Sequence, residues 1–315
     1  MLYLTEREVR GLLPMADCID LMETAFQRLA SGEAINQPRR RLILPTGSLL
    51  HYMAASDGQY YGAKIYATNP RYGANFLFLL YQAADAQPLA IVEANHLGQI
   101  RTGAASGLAT KFMARADAST LAIIGSGFQA RTQLEAMLAA RKIWEVRVWS
   151  RDPAKRAAFA AEAPASIEAR AVETAEQAVR GAQIIVTATY AKEPVLSGEW
   201  VEPGAHINAM GSNQATRREI PADLIRRAGL IAVDSIEQAR MESGDLLMAL
   251  DEQDWASPRI VELKDVVAGR VEARTAPGQV TLFKSVGLAV EDVIAAAFVY
   301  ERALAAGIGS TVPHS

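Results

Sequence analysis

The sequence predicts an α/β protein of two domains, a doubly wound parallel sheet over residues 117–284 and a discontinuous α+β domain made of 1–116 with 285–315. Three observations predict it. The length of 315 residues suits about two domains. From Ser119 onward, apolar strand patterns alternate with helical ones, as in a parallel sheet with crossover helices. Before residue 116, short strands follow one another across turn signals, as in antiparallel pairing.

The composition is that of an ordinary globular chain, 50% apolar and 21% charged. Cys18 is the only cysteine, so no internal disulfide forms and a reducing compartment is expected. A net charge of -3 gives no electrostatic footprint for nucleic acid. The opening "MLYLTEREVR" lacks the cationic stretch and apolar run of a secretory signal. No segment reaches the roughly 18 uninterrupted apolar residues of a membrane span. The expectation is a cytoplasmic protein without a nucleic-acid or membrane partner.

In order along the chain, Thr5 with Glu8 forms a capping box, and "CIDLMETAFQRLA" has helical spacing, so two helices come first. The segments "RRLILP", "LLHYMAA", "YYGAKIYAT", "NFLFLLYQ" and "PLAIVEA" read as strands, and "QIRTGAASGLATKFMARA" as a helix. Six strands follow, "TLAIIG", "EVRVWS", "ASIEAR", "AQIIVTAT", "GAHINAMG" and "GLIAVDS". The last helical stretch, "VGLAVEDVIAAAFVYERALAAG", is interrupted by Glu291, Asp292, Glu301 and Arg302 at helical spacing. It reads as an amphipathic helix that packs back on the first domain.

"LAIIGSGFQARTQLEAML" is a strand, then Gly125-Ser126-Gly127-Phe128-Gln129-Ala130, then a helix. In this context the glycine pattern points to a Rossmann-type dinucleotide site: Gly125 for the tight turn, Gly127 for approach to a pyrophosphate, Ala130 for helix packing. About 20 residues on, NAD-binding units place an acid. Here Trp149 is followed by Ser150 and Arg151, with Lys155 or Arg156 as a further cation and Asp152 against them. A charge pair at about 5 Å and an effective dielectric near 20 is worth roughly 3 kcal/mol, so this tip favours NADPH, with NADH as the weaker cofactor.

In the first domain Arg39, Arg40 and Arg41 sit on a predicted strand, so Arg40 faces opposite to its neighbours. Lys64 shares a face with Tyr60 and Tyr66, and Arg101 is followed by the small-residue run "TGAASG". These cations suit a carboxylate-binding pocket, although spacing does not make them converge. His51 is a candidate proton donor set against a core role. His96, His206 and His314 lack metal-ligand spacing, and no metal is expected. Asp234 stands at a strand end, where Ser235 with Gln238 reads as a capping box.

The motifs "QPRRR", "GAKIY", "IRTGAASGLATKF", "IIGSGFQA", "GEWVEPGAHINAMGS", "ESGDLL" and "TLFKSVGLAVED" occur in order over nearly the whole chain. By them the sequence resembles the ornithine cyclodeaminase and μ-crystallin family. The resemblance implies a homodimer whose subunits join a nicotinamide-binding domain to a substrate-binding and dimerisation domain. It implies that Arg40, Lys64 and Arg101 hold a substrate carboxylate, with Lys64 close to the reacting atoms as the catalytic residue. Phe128, Gln129, Thr189, Met210, Gly211 and Ser285 match cofactor-contact positions, beside Gly125, Ser126, Gly127, Ser150, Arg151 and Arg156. Ser150 and Arg151 resemble the NADPH-using ketimine reductase branch. Cyclodeaminases and related alanine dehydrogenases have a catalytic aspartate after "HIN", where this chain has Asn213, and an amide does not titrate. The expected reaction is reduction of a small cyclic imino acid, with Asn213 as a substrate hydrogen-bonding group or a turn residue. Ornithine cyclodeamination, alanine-type dehydrogenation and a non-enzymatic NADPH-binding crystallin are the alternatives.

Overall fold

The computed structural model describes residues 1–313, and His314 lies outside them. The chain forms two compact units, Met1–Arg101 with the chain from Gly287 onward, and Thr102–Val286.

The first unit opens with β1 (Leu2–Leu4), α1 (Glu6–Leu12) and α2 (Met15–Ser31). The Thr5–Glu8 capping box starts α1, and Gly32 in the left-handed region stops α2. Next come β2 (Ile35–Asn36), β3 (Arg40–Ile43), β4 (Leu49–Ser56), β5 (Tyr60–Asn69), β6 (Gly73–Gln82), β7 (Pro88–Glu93) and α3 (Asn95–Met113). The strands alternate buried and less buried residues, so the sheet has one covered face. Pairing from β2 to β7 is antiparallel.

The second unit contains β8 (Thr120–Ile124), α4 (Phe128–Ala140), β9 (Glu145–Trp149), α5 (Pro153–Ala161), β10 (Glu168–Ala171), α6 (Ala175–Val179), β11 (Ile184–Thr187) and β12 (His206–Ala209). It continues through α7 (Ala222–Arg227), β13 (Leu230–Val233), α8 (Ile236–Glu242), α9 (Gly244–Leu247), α10 (Glu252–Trp255), β14 (Ile260–Glu262), α11 (Leu263–Val267) and β15 (Thr281–Lys284). Its sheet runs β10-β9-β8-β11-β12-β15-β13-β14, all parallel. The inner strands are buried throughout, since helices cover both faces. Ile124, Ile185, Ile207, Leu224, Ile231 and Leu282 belong to one core cluster.

α12 (Ala289–Ala306) and β16 (Ser310–Thr311) complete the first unit, with α12 packed on α2, β4 and β5. The structure departs from the sequence prediction in three ways. The parallel sheet has eight strands rather than six, because β14 is only 3 residues long and β15 ends in a buried lysine. The division between units falls inside α3 rather than after it: Gly98 lies against Lys64, while Gly103 lies against Thr132 of α4. Glu291 and Asp292 are fully buried and form no solvent stripe.

Candidate active site

Parallel register brings Trp149, Ile124, Thr187, Ala209 and Lys284 into one row at the carboxyl ends of five adjacent strands. Gly125, Ser150, Met210 and Ser285 each directly follow a residue of that row, and Thr189 lies two positions on. β8 is central, with β9 on one side and β11 on the other, so chain order reverses there and leaves the crevice where such sheets bind ligands. Gly125 has φ 119 and its N–H donates to the Trp149 carbonyl at 2.8 Å. A Cβ there would run into the Ala188 carbonyl oxygen, so only glycine allows the turn. Gly127 caps α4, with open space where a side chain would project. The first-turn N–H groups of this 13-residue helix therefore offer donors to an anion. The Gln129 side-chain oxygen is buried without a hydrogen-bond partner, a further group suited to a ligand.

A buried carboxylate holds the next two strand ends. Glu219 accepts from Thr189 N–H at 2.6 Å, Thr189 Oγ1 at 2.7 Å, Thr187 Oγ1 at 3.0 Å and Gly211 N–H at 2.8 Å. Burial raises its carboxyl above the ordinary range, against the opposing charge of Lys284 and the hydrogen bonds from Thr189. Lys284 Nζ bonds Asp245 at 3.0 Å and donates to the Ser212 carbonyl at 2.7 Å, fixing the loop that carries half-buried Asn213. Met210 N–H donates to Thr187. Ser285 Oγ donates to Asp234, which also accepts from Val286 N–H. Asp234 thus ties two strand ends together. Ser235 accepts from the Gln238 N–H, while the Gln238 amide turns to Glu242.

At the second strand tip, the Ser150 and Ser126 hydroxyls are 2.8 Å apart and Arg151 is exposed. The expectation that Arg156 reaches a ligand is corrected. Its guanidinium is buried, donating to the Ser150 carbonyl at 3.0 Å and to Glu173 at 2.8 Å, so it braces the tip from within. Asp152 caps α5 and pairs with Lys155.

In the first unit Lys64, Arg101 and Arg39 are all enclosed. Lys64 Nζ bonds Asp292 Oδ1 at 2.9 Å. Arg101 Nε bonds the same oxygen at 3.0 Å, and its Nη1 bonds Glu291 at 2.7 Å. Arg39 Nη2 donates to the Gly287 carbonyl at 3.3 Å. Gly287 has φ 80, and a Cβ there would sit 2.7 Å from the Arg101 guanidinium, so glycine is required twice over. Burial lowers the Lys64 ammonium to about 8, with Asp292 opposing and Arg101 and Arg39 adding to the fall. Burial would raise Asp292, but Arg101 and Lys64 outweigh it and hold its carboxyl below the usual range.

The expectation for Arg40 is also corrected. It pairs with Tyr52, which pairs with Ile65 and then Leu77, a row on the face opposite Lys64. Lys64 instead lies in register with Met53 and Phe78 on the covered face. Alternation puts Arg39 on the covered side, and only the pairing of β3 with β4 reveals it. His51 is buried, stacked on Tyr66 at 4.2 Å and bonded to Thr68. Burial, then the charges of Arg41 and Arg39, lower it to about 4, so it is neutral near pH 7. Among the described residues no group of three or more His, Cys, Asp or Glu is placed to hold a metal, and no helix is long and apolar enough to cross a membrane. Sequence reasoning missed Glu219, Asp245, Lys284, Glu291 and Asp292; for the last four the signal was present in "GDLL", "FKS" and "VED", four charged residues set beside apolar ones.

A Delta(1)-pyrroline-2-carboxylate reductase of Bacillus cereus is 35% identical to this chain, with 99% of each covered. The solved Thermococcus litoralis Delta(1)-pyrroline-2-carboxylate reductase in complex with NADH and L-proline superposes with TM-score 0.93 at 35% identity, covering 99% of this chain and 100% of that one. An archaeal alanine dehydrogenase dimer with bound NAD superposes with TM-score 0.93 at 31% identity, covering 100% and 99%. Residues 1–307 match the ornithine cyclodeaminase/mu-crystallin family, and the chain belongs to it.

Proposed function

We propose that this protein is an NADPH-preferring reductase of cyclic imino acids, converting Δ1-pyrroline-2-carboxylate or Δ1-piperideine-2-carboxylate to L-proline or L-pipecolate, and acting as a homodimer. The observation that carries this reading is the enclosed cluster of Lys64, Arg101 and Arg39, in which Asp292 bonds both Lys64 and Arg101 and Glu291 bonds Arg101. Cations gathered in an enclosed site suit a small carboxylate, which would add its own charge-assisted hydrogen bonds to them. The likeness to the pyrroline-2-carboxylate reductases supports the same substrate class.

The glycine turn, the open approach at Gly127 and the α4 N–H groups fit a nicotinamide dinucleotide. Bound in reduced form, it would supply the hydride for the C=N carbon. Lys64, with three N–H donors of which Asp292 takes one, and Arg101 bind and orient the substrate carboxylate. Their enclosure excludes water and strengthens the attraction. With its ammonium at about 8, Lys64 is mainly charged at neutral pH. Asn213 supplies no titrating acid, which favours net reduction over deamination. Ser150 and exposed Arg151 favour the extra phosphate of NADPH. For the homodimer, Leu42, Leu50, Tyr52 and Leu77 form an exposed apolar area on the uncovered sheet face, and the related alanine dehydrogenase was solved as a dimer.

Loss of reduced-nicotinamide absorbance tests the reading, with NADPH and NADH in parallel on five- and six-membered cyclic imines. Turnover of both rings with NADPH preferred is expected. Ammonia release from ornithine with NAD, faster use of pyruvate plus ammonia, or tight NADPH binding without any turnover would each overturn it. Light scattering reports the oligomeric state, with a dimer expected.

A further inference from the structure

We propose that Asp292 is a positioning residue for substrate binding: through one carboxylate oxygen it fixes Lys64 and Arg101 side by side in the arrangement that receives the substrate carboxylate. This deepens the function proposed above and rests on it.

Asp292 is fully buried in the first turn of α12. Its Oδ1 accepts from both Lys64 and Arg101, while Oδ2 is buried with no hydrogen-bond partner. A carboxylate placed only to be neutralised would gain by sharing its donors between both oxygens. Concentrating them on one sets the two cations at a fixed separation. Arg101 is gripped in two directions, Nε by Asp292 and Nη1 by Glu291, so it cannot swing without breaking both bonds. Lys64 has a flexible stem, and two contacts fix its head: the bond to Asp292 and the close approach of Gly98, where a Cβ would sit 2.6 Å from Nζ.

The charged groups acting on Lys64 are Arg101 from α3, Arg39 from the segment before β3 and Asp292 from α12, with Glu291 of α12 bonded to Arg101; His51 of β4 stacks on Tyr66, the ring over which the Lys64 ammonium lies. His51 is neutral near pH 7, and removing the Asp292 charge takes away the carboxylate that bonds Lys64 while Arg101 and Arg39 still act on it. Lys64 is then the group that gives up its proton, since Asp292 is the main influence holding its ammonium up against burial.

The test is Asp292→Asn in the full-length protein. The readouts are the pH profile of kcat/KM on Δ1-pyrroline-2-carboxylate and the pH dependence of L-proline binding. In the wild type both should fall above about pH 8, as Lys64 deprotonates. Asp292→Asn should move that limb to lower pH by roughly one unit and raise KM about tenfold or more, each unit or decade being about 1.4 kcal/mol. It should change kcat by less than about threefold, and Asp292→Glu should recover part of both effects. A folded Asp292→Asn with wild-type limb and KM overturns the positioning role while leaving the proposed function standing. A wild type that neither reduces cyclic imines nor binds L-proline overturns both. If Asp292→Asn does not fold, Gly98→Ala carries the test by crowding the same ammonium, and an unchanged KM there is the negative result.

Discussion

The two units build their sites from different materials. In Thr102–Val286 the groups proposed to meet the cofactor are mostly backbone N–H and hydroxyl groups at the ends of neighbouring parallel strands, placed by sheet register and one glycine turn. In the other unit the corresponding groups are whole charges brought by β5, α3, α12 and the segment before β3. Neutral donors are inexpensive to bury once hydrogen-bonded, whereas each buried charge costs several kcal/mol unless paired. The cation cluster therefore had to bring in Glu291 and Asp292, while the glycine loop needed no counter-charge. The lesson is that one site should fail sharply at single side chains and the other should degrade gradually.

The sharpest test of that contrast is Lys64→Met. It removes the cation held by Asp292 and leaves that carboxylate with Arg101 as its remaining ion pair. Truncating one partner of a buried, hydrogen-bonded charge pair with a ligand costs about 2–5 kcal/mol of binding, and each 1.36 kcal/mol is tenfold in rate. The expected result is a fall in kcat/KM on cyclic imines of about three orders of magnitude, with NADPH binding unchanged by fluorescence titration. A loss below tenfold would show that the two sites do not differ in kind.

The same contrast explains what was legible in the sequence. The parallel sheet and the turn at Gly125 are local: apolar runs and a six-residue pattern between a strand and a helix carry the information. The cation cluster is not local. Lys64 and Arg101 are readable as cations, but their meeting depends on Asp292, far along the chain, and on how α12 docks on β5. Arg39 against Arg40 is a question of parity, and only the partner strand decides which face is covered. Glu291 and Asp292 read only as part of the polar face of an amphipathic helix, because helical spacing cannot distinguish a polar face in water from one that serves buried cations. Arg156 misled for a related reason, since its role depends on Glu173, which lies beyond the next strand.

Glu219 is where the second unit most resembles the first, and it sharpens the comparison through stability. Glu219→Ala strands the donors from Thr187, Thr189 and Gly211. Unsatisfied buried groups cost about 1–3 kcal/mol each, reduced where water enters, so a loss of about 3 kcal/mol is expected in denaturant melts. Glu219→Gln keeps an acceptor and should lose less. Burial raises the Glu219 carboxyl above 4.5, so the folded state holds this proton more tightly than the unfolded one. Its contribution is complete below about pH 4.5 and declines as pH rises through the folded pKa. Glu219→Gln should flatten that decline, and an unchanged pH dependence of the melting temperature would count against a charged hub.

The smallest effect belongs to the strand tip, where the charges meet solvent. Arg151 is exposed, so the roughly 3 kcal/mol of an unscreened pair shrinks toward 1 kcal/mol. Arg151→Ala should lower the NADPH to NADH ratio of kcat/KM by about tenfold, and Arg151→Asp by more. Glu173→Gln should act in the opposite direction. It keeps a partner for Arg156 Nη2 but removes the negative charge on that guanidinium, so the ratio should rise a few fold. If it does, buried Arg156 contributes its field without touching the phosphate. If Glu173→Gln leaves the ratio alone while Arg151→Ala lowers it, Arg156 is a brace for the Ser150 carbonyl and nothing more, and cofactor choice rests on the exposed arginine.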